Sequence, residues 1–164
     1  MAVRSVLDVI HIDENLAFID KPPGISLLAD RSGAPCLWDS IKTELGKPYL
    51  VHRLDKGTSG VLAVARNPAT QARLTRAFRE RRVSKTYIAR VTGSLRVRGT
   101  GIIDLPLRRG RKIRYRIAGQ RDGIVRSGDL GMHPEAEGGH PACTRFRVLR
   151  RDARGSCLLL RPVT

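Results

Sequence analysis

Apolar residues fall in short runs separated by turn-forming residues, and each run has a readable period. Val6–His11 and Leu16–Asp20 (LAFID) predict two strands around a turn at Asp13-Glu14-Asn15. The second strand runs into Lys21-Pro22-Pro23-Gly24, where two prolines and a glycine bend the chain and leave Lys21 at the strand tip. Ser26–Pro35 reads as a loop. Leu37, Ile41 and Leu45 recur every four residues on one helix face, and Gly46 and Pro48 end that helix. Val61–Ala65 (VLAVA) is apolar throughout, which predicts a buried central strand. Asn67 and Pro68 then cap and open a helix running to about Arg81. Leu74 and Phe78 lie one turn apart on it, and Arg73, Arg76 and Arg79 lie off that stripe, free to reach water or phosphate.

Strand patterns dominate the second half. In Val83–Val91, the residues Val83, Lys85, Tyr87, Ala89 and Val91 share a face by alternation. Ile102–Leu107 is a short strand ending at a basic cluster, and Ile113, Tyr115 and Ile117 alternate with Arg114 and Arg116 as in a hairpin strand. Arg121–His140 is Gly-rich and unpatterned, the signature of a long loop. Ala142–Leu149 and Ser156–Leu160 predict neighbouring strands joined by RRDARG as a hairpin turn. The resulting class is α+β, with a mixed, mostly antiparallel sheet, in one domain spanning 1–164. Ser156–Leu160 (SCLLL) is apolar on both faces, as in a strand with two neighbours. The sequence ends four residues later, at Thr164. The expectation is therefore an exposed C-terminal strand, poorly stable and prone to pair with a second copy.

Charge narrows the functional classes. Lysine and arginine number 31 against 15 acids, a net of +16. Between Leu50 and Arg116 lie 18 basic residues and three acids, Asp55, Glu80 and Asp104, so this window carries +15 of the total. Such concentration fits a polyanion such as RNA. The seven aromatic residues are scattered, so phosphate and shape rather than a stacking platform would hold it. Cys36, Cys143 and Cys157 form no CxxC pair and read as free buried thiols. His133, His140 and Cys143 lack a fourth ligand at useful spacing, so no metal is expected. No apolar run reaches the roughly 18 residues of a membrane span. The start turns acidic too early for a signal peptide, which gives the cytoplasm as the expected compartment.

The sharpest string is His52-Arg53-Leu54-Asp55-Lys56-Gly57-Thr58-Ser59-Gly60. One acid stands among three basic residues, next to a turn that feeds the apolar strand. An ionised, fixed carboxylate there can act as a nucleophile or base. The residues fit equally a structural salt bridge from Asp55 to Arg53 or Lys56, with Thr58 and Ser59 satisfying turn amides. The string resembles the HRLD-x-x-TSG signature of the RluA-type pseudouridine synthases. Lys21-Pro22-Pro23-Gly24 is similar to their KP-x-G element, Lys85-Thr86-Tyr87 to their K-x-Y strand, and Pro141–Phe146 to their A-x-T strand, all in order.

The resemblance implies isomerisation of uridine to pseudouridine in rRNA or tRNA, without cofactor or metal. It assigns the catalytic carboxylate to Asp55 and makes Arg53 the residue that helps hold the target nucleotide out of the stack. It places Tyr87 against the target base. His52, Leu54, Thr58, Ser59, Gly60 and Lys21 would shape the pocket and turn. Arg73, Arg76 and Arg79, with Arg108, Arg109, Arg111 and Lys112, would grip the RNA backbone. Family members continue past a strand like SCLLLRPVT with G-R-x-H-Q-(I/L)-R, which supplies a second basic residue beside the aspartate and an apolar wall. That segment is expected to be missing here, which puts the activity of this polypeptide in doubt. An N-terminal S4-like domain is also expected to be absent, since strand pattern begins within the first ten residues. The alternatives are an inactive RNA-binding fragment on the same scaffold, or an unrelated basic RNA-binding protein.

Overall fold

The computed structural model describes residues 7–31, 33–93, 99–110, 114–120, 122–127, 130–132 and 138–163. The chain divides into two compact units, Met1–Arg82 and Val83–Thr164.

The first unit is a four-stranded antiparallel sheet with two helices. Its strands are β1 (Asp8–Ile12), β2 (Leu16–Lys21), β3 (Tyr49–Leu50) and β4 (Gly60–Ala65), in the order β1-β2-β4-β3. β2 and β4 pair without a break from Leu16↔Ala65 to Lys21↔Gly60. That register brings the bend after β2 beside the turn before β4. Leu62 and Val64 of β4 join Leu7, Ile19, Leu27 and the Leu37 and Ile41 face of α1 (Leu37–Leu45) in one buried core. Val61 departs from the expected burial: it starts the opposite face of β4 and is 57% exposed. Helix α2 (Pro68–Arg79) begins as the capping residues require, with the Asn67 side chain accepting from the Thr70 amide at 2.8 Å.

The second unit holds a six-stranded sheet in the order β5-β12-β11-β6-β10-β9. Its members are β5 (Tyr87–Thr92), β6 (Thr100–Asp104), β9 (Val125–Ser127), β10 (Leu130–Met132), β11 (Cys143–Asp152) and β12 (Gly155–Pro162). All pairs are antiparallel except β10 with β6. A separate hairpin joins β7 (Leu107–Arg109) to β8 (Tyr115–Ile117). The α+β class with a mostly antiparallel sheet is therefore present. Among the described residues, no helix is long and apolar enough to cross a membrane.

Five expectations need correction. The strand begins at Tyr87, so Val83 and Lys85 precede it, while Tyr87, Ala89 and Val91 keep the shared face and are half-buried on it. The stretch expected as one strand to Leu107 breaks after Asp104, and β7 starts at Leu107. The region expected as a long loop contains β9 and β10, each three residues long, too short to show a period. Most importantly, β12 is not an exposed edge. It lies between β5 and β11 and pairs with both from Gly155 to Leu160, which satisfies the two-sided apolar pattern of SCLLL within the chain. The ground for self-association through that strand is gone. The turn between β11 and β12 is also tighter than expected, since Arg150–Asp152 extend β11. Gly155 is obligatory at the start of β12, because a Cβ there would lie 2.2 Å from the Val91 carbonyl oxygen.

Candidate active site

Residues 51–59 connect β3 to β4 as an extended loop with a turn at Lys56-Gly57, so Asp55 precedes the core strand by five residues rather than starting it. Alternation in an extended segment sends neighbouring side chains to opposite sides. His52 and Leu54 point inward and Arg53 and Asp55 outward. Leu54 is buried. The His52 ring stacks on Phe78 of α2 at 4.5 Å, and its Nε2 accepts the Ala63 amide at 2.9 Å. An accepting Nε2 fixes the neutral ring with its proton on Nδ1. The outward pair is open: the Asp55 side chain is 86% exposed and that of Arg53 72%, with Nη2 and Oδ1 4.0 Å apart.

The loop owes its shape to backbone bonds. The Thr58 amide donates to the Asp55 carbonyl at 3.0 Å, and the Gly24 amide to the Lys56 carbonyl at 2.7 Å. Lys21 closes the arrangement. It is the last residue of β2, at the strand tip as expected, and it is fully buried. Its Nζ donates to the carbonyls of Pro22 at 2.9 Å, Lys56 at 3.3 Å and Thr58 at 2.8 Å. An ammonium has three donors and no acceptor, which matches three carbonyls. Burial pulls its pKa below the ordinary value, and the Asp55 carboxylate opposes that shift. The Lys56 ammonium meets Asp30 at 3.3 Å rather than Asp55. Gly60, opposite Lys21 in register, takes φ +116° as the loop enters β4.

Among the predicted site residues, Lys21, His52, Arg53, Leu54, Asp55, Thr58, Ser59 and Gly60 thus converge on one clamped loop. Arg73, Arg76 and Arg79 are exposed on α2, but Arg76 is engaged by Glu80 at 2.6 Å. That pairing, with Arg82 at 2.9 Å, holds the Glu80 carboxyl below its usual range. Tyr87 belongs to the second unit, half-buried opposite Leu160. Arg108 and Arg109 are exposed on β7. Arg111, Lys112 and His133 lie outside the described residues. Of the thiols, Cys36 is buried and Cys143 and Cys157 only half-buried. Sequence reasoning did not reach the parts played by Phe78, Ala63, Asp30 and Gly24. Only Gly24, within KPPG, carried a local signal.

The fold is that of the pseudouridine synthases. A solved structure titled human RNA pseudouridylate synthase domain containing 1 superposes with a TM-score of 0.76, over 100% of this chain and 62% of its own length, at 23% identity. The corresponding human domain-containing-4 structure gives 0.71, covering 95% and 59%. The chain belongs to the RNA pseudouridylate synthase family: the family model of that description matches residues 15–164. The dual-specificity RNA pseudouridine synthase RluA of Yersinia pestis is 35% identical over 95% of this chain and 69% of its own length. The protein of that name from Escherichia coli K12 is 31% identical over 96% and 66%. The chain thus spans about two thirds of the length of these curated relatives.

Proposed function

We propose that this protein converts uridine to pseudouridine within structured rRNA or tRNA, with Asp55 as the catalytic carboxylate. The observation that carries the proposal is an exposed Asp55–Arg53 pair on a loop fixed from below by Lys21 and Leu54. The target uridine leaves its stack or already lies in a loop, since its glycosidic bond must be reached from outside a helix. The N1–C1′ bond breaks, the uracil turns, C5 joins C1′, and the C5 proton is exchanged for one on N1. Atoms and electrons balance within one nucleoside, so no second substrate or redox partner is called for. The carboxylate attacks C1′ or C6, or takes the C2′ proton. Arg53 fills the space left by the base or grips its phosphate. The test is tritium release from RNA bearing C5-tritiated uridine. Release is expected; its absence would leave an RNA-binding scaffold without turnover.

The arginines of α2 add nonspecific grip in this proposal. Because Arg76 is already engaged by Glu80, Arg73 and Arg79 are the ones to test. Replacing both by alanine should weaken all RNAs alike and reduce the slope of log affinity against log salt by about 1–2. An unchanged slope would mean that these charges only face solvent.

A further inference from the structure

Strand pairing in the second unit sorts its arginines onto one face. Across β11 and β12, Arg145 stands opposite Arg161, Arg147 opposite Leu159, and Arg150 opposite Cys157. On the next strand, Leu159 meets Ile88 and Cys157 meets Arg90. The register shift between Val148 and Arg150 keeps Arg150 on the same side as Arg147. The reverse face carries Phe146, Val148, Leu158 and Leu160, and there Phe146 and Leu158 are buried. One side of this sheet is therefore core and the other an arginine surface around the Ile88–Leu159 pair, with Ile88 72% exposed.

Two features set this face apart from an ordinary solvated one. Like charges placed directly opposite each other weaken a strand pair, yet Arg145 and Arg161 face each other. The same arrangement recurs in the β7–β8 hairpin, where Arg108 faces Arg116. The acid that could relieve the face, Asp152, is taken by Arg90 at 2.8 Å, and Asp104 sits at its far end opposite Cys143. Among the described residues, no ion pair engages Arg145, Arg147 or Arg161. Positions two apart on a strand are about 6.7 Å apart. Arg145, Arg147 and Arg150 thus form a spaced line of guanidinium groups with Arg161 beside it. Guanidinium rather than ammonium at every position favours planar, two-pronged binding of phosphate oxygens.

We infer that this face of β5, β12, β11 and β6 binds the phosphate backbone of RNA, outside the Asp55 loop. The inference rests on RNA being the substrate. A phosphodiester strand placed between Arg145 and Arg161 turns their repulsion into shared attraction to one anion. The Ile88–Leu159 strip gives the sugars and bases an apolar surface to lie on.

The experiment uses uridine-free RNA, so that binding is read without turnover, and titrates it over a series of salt concentrations. The variant R145Q/R147Q/R161Q should lose roughly tenfold or more in affinity at low salt. Its log–log salt slope should fall by about two, the value for three single-strand phosphate contacts. The lysine variant R145K/R147K/R161K should keep most of the slope. Unchanged affinity and slope in a folded glutamine variant would overturn the inference. Should that variant not fold, photocrosslinking of the unaltered protein decides: RNA adducts within residues 143–162 support the face, and adducts confined to other segments refute it. Failure of the Asp55 proposal would look different, as intact RNA binding without tritium release.

Discussion

Asp55→Asn should lower pseudouridine formation by at least about a thousandfold while leaving the protein folded and able to bind RNA. The separation follows from how the residue is built in. Its carbonyl, not its carboxylate, accepts the turn bond from Thr58. The carboxylate is open to solvent and its contact with Arg53 is at the 4.0 Å limit of an ion pair. Exposed pairs of this kind contribute about 0–1 kcal/mol, so the amide costs the fold little. Removing a negative charge beside bound phosphates leaves affinity unchanged or slightly raised. Tritium release and RNA titration, run on the same preparation, check both halves. Substantial turnover by the asparagine variant would remove Asp55 from the chemistry. Lost RNA binding would instead show the residue to be structural.

Lys21→Met should do the reverse, damaging the fold first and activity as a consequence. A methionine fills similar volume but leaves the carbonyls of Pro22 and Thr58 without the ammonium, and removes one of two donors to Lys56. Hydrogen bonds to a charged donor are worth about 1.5–3 kcal/mol each, offset in part by no longer burying the charge. A net loss of roughly 2–4 kcal/mol is expected in denaturant unfolding. Hydrogen exchange at the Thr58 amide should quicken, because its turn loses its support. Lys21 also predicts a pH effect. Burial lowers its pKa below the ordinary 10.5, so above the folded-state value the unfolded chain holds more protons than the folded one. Stability from this group therefore rises with pH up to about 10.5, and the methionine variant should lack that rise. Unchanged stability and exchange in the variant would show the clamp to be dispensable.

The sequence made some of this legible and hid the rest for physical reasons. The start of α2 was readable because Asn67 and Pro68 act on their own helix within a few residues. The outward pairing of Arg53 with Asp55 was implicit in HRLD, since extended chain alternates. The HRLDKGTSG string marked the loop that the structure clamps. KPPG put Lys21 at the strand tip, but its burial could not be read there, since a lysine before two prolines has every local reason to be solvated. Two of its three acceptors arrive 35 and 37 residues later, beyond the reach of any local window. The arginine face of the second unit was hidden differently. Segment totals offset it against the acids of 117–140, whereas the arginines meet only after β11 and β12 pair in register. The fate of SCLLL followed from the same ignorance of strand order: its pattern asked for two neighbours, and one of them, β5, lies far back in the chain.

That placement of β12 bears on how the protein is made. The strand pairs of the first unit close within residues 8–65, so its sheet can form while the second half is still being synthesised. β5 has no such opportunity. Within the described sheet its partner is β12, with Tyr87 waiting for Leu160 and Thr92 for Gly155. On the ribosome, Tyr87–Thr92 must therefore emerge and remain unpaired until Gly155–Leu160 has also left the exit tunnel. Half of its side chains are apolar, and Ile88 stays exposed even in the finished sheet. Slow translation ahead of β12 would prolong the time in which this strand can be captured by a chaperone or by another nascent chain.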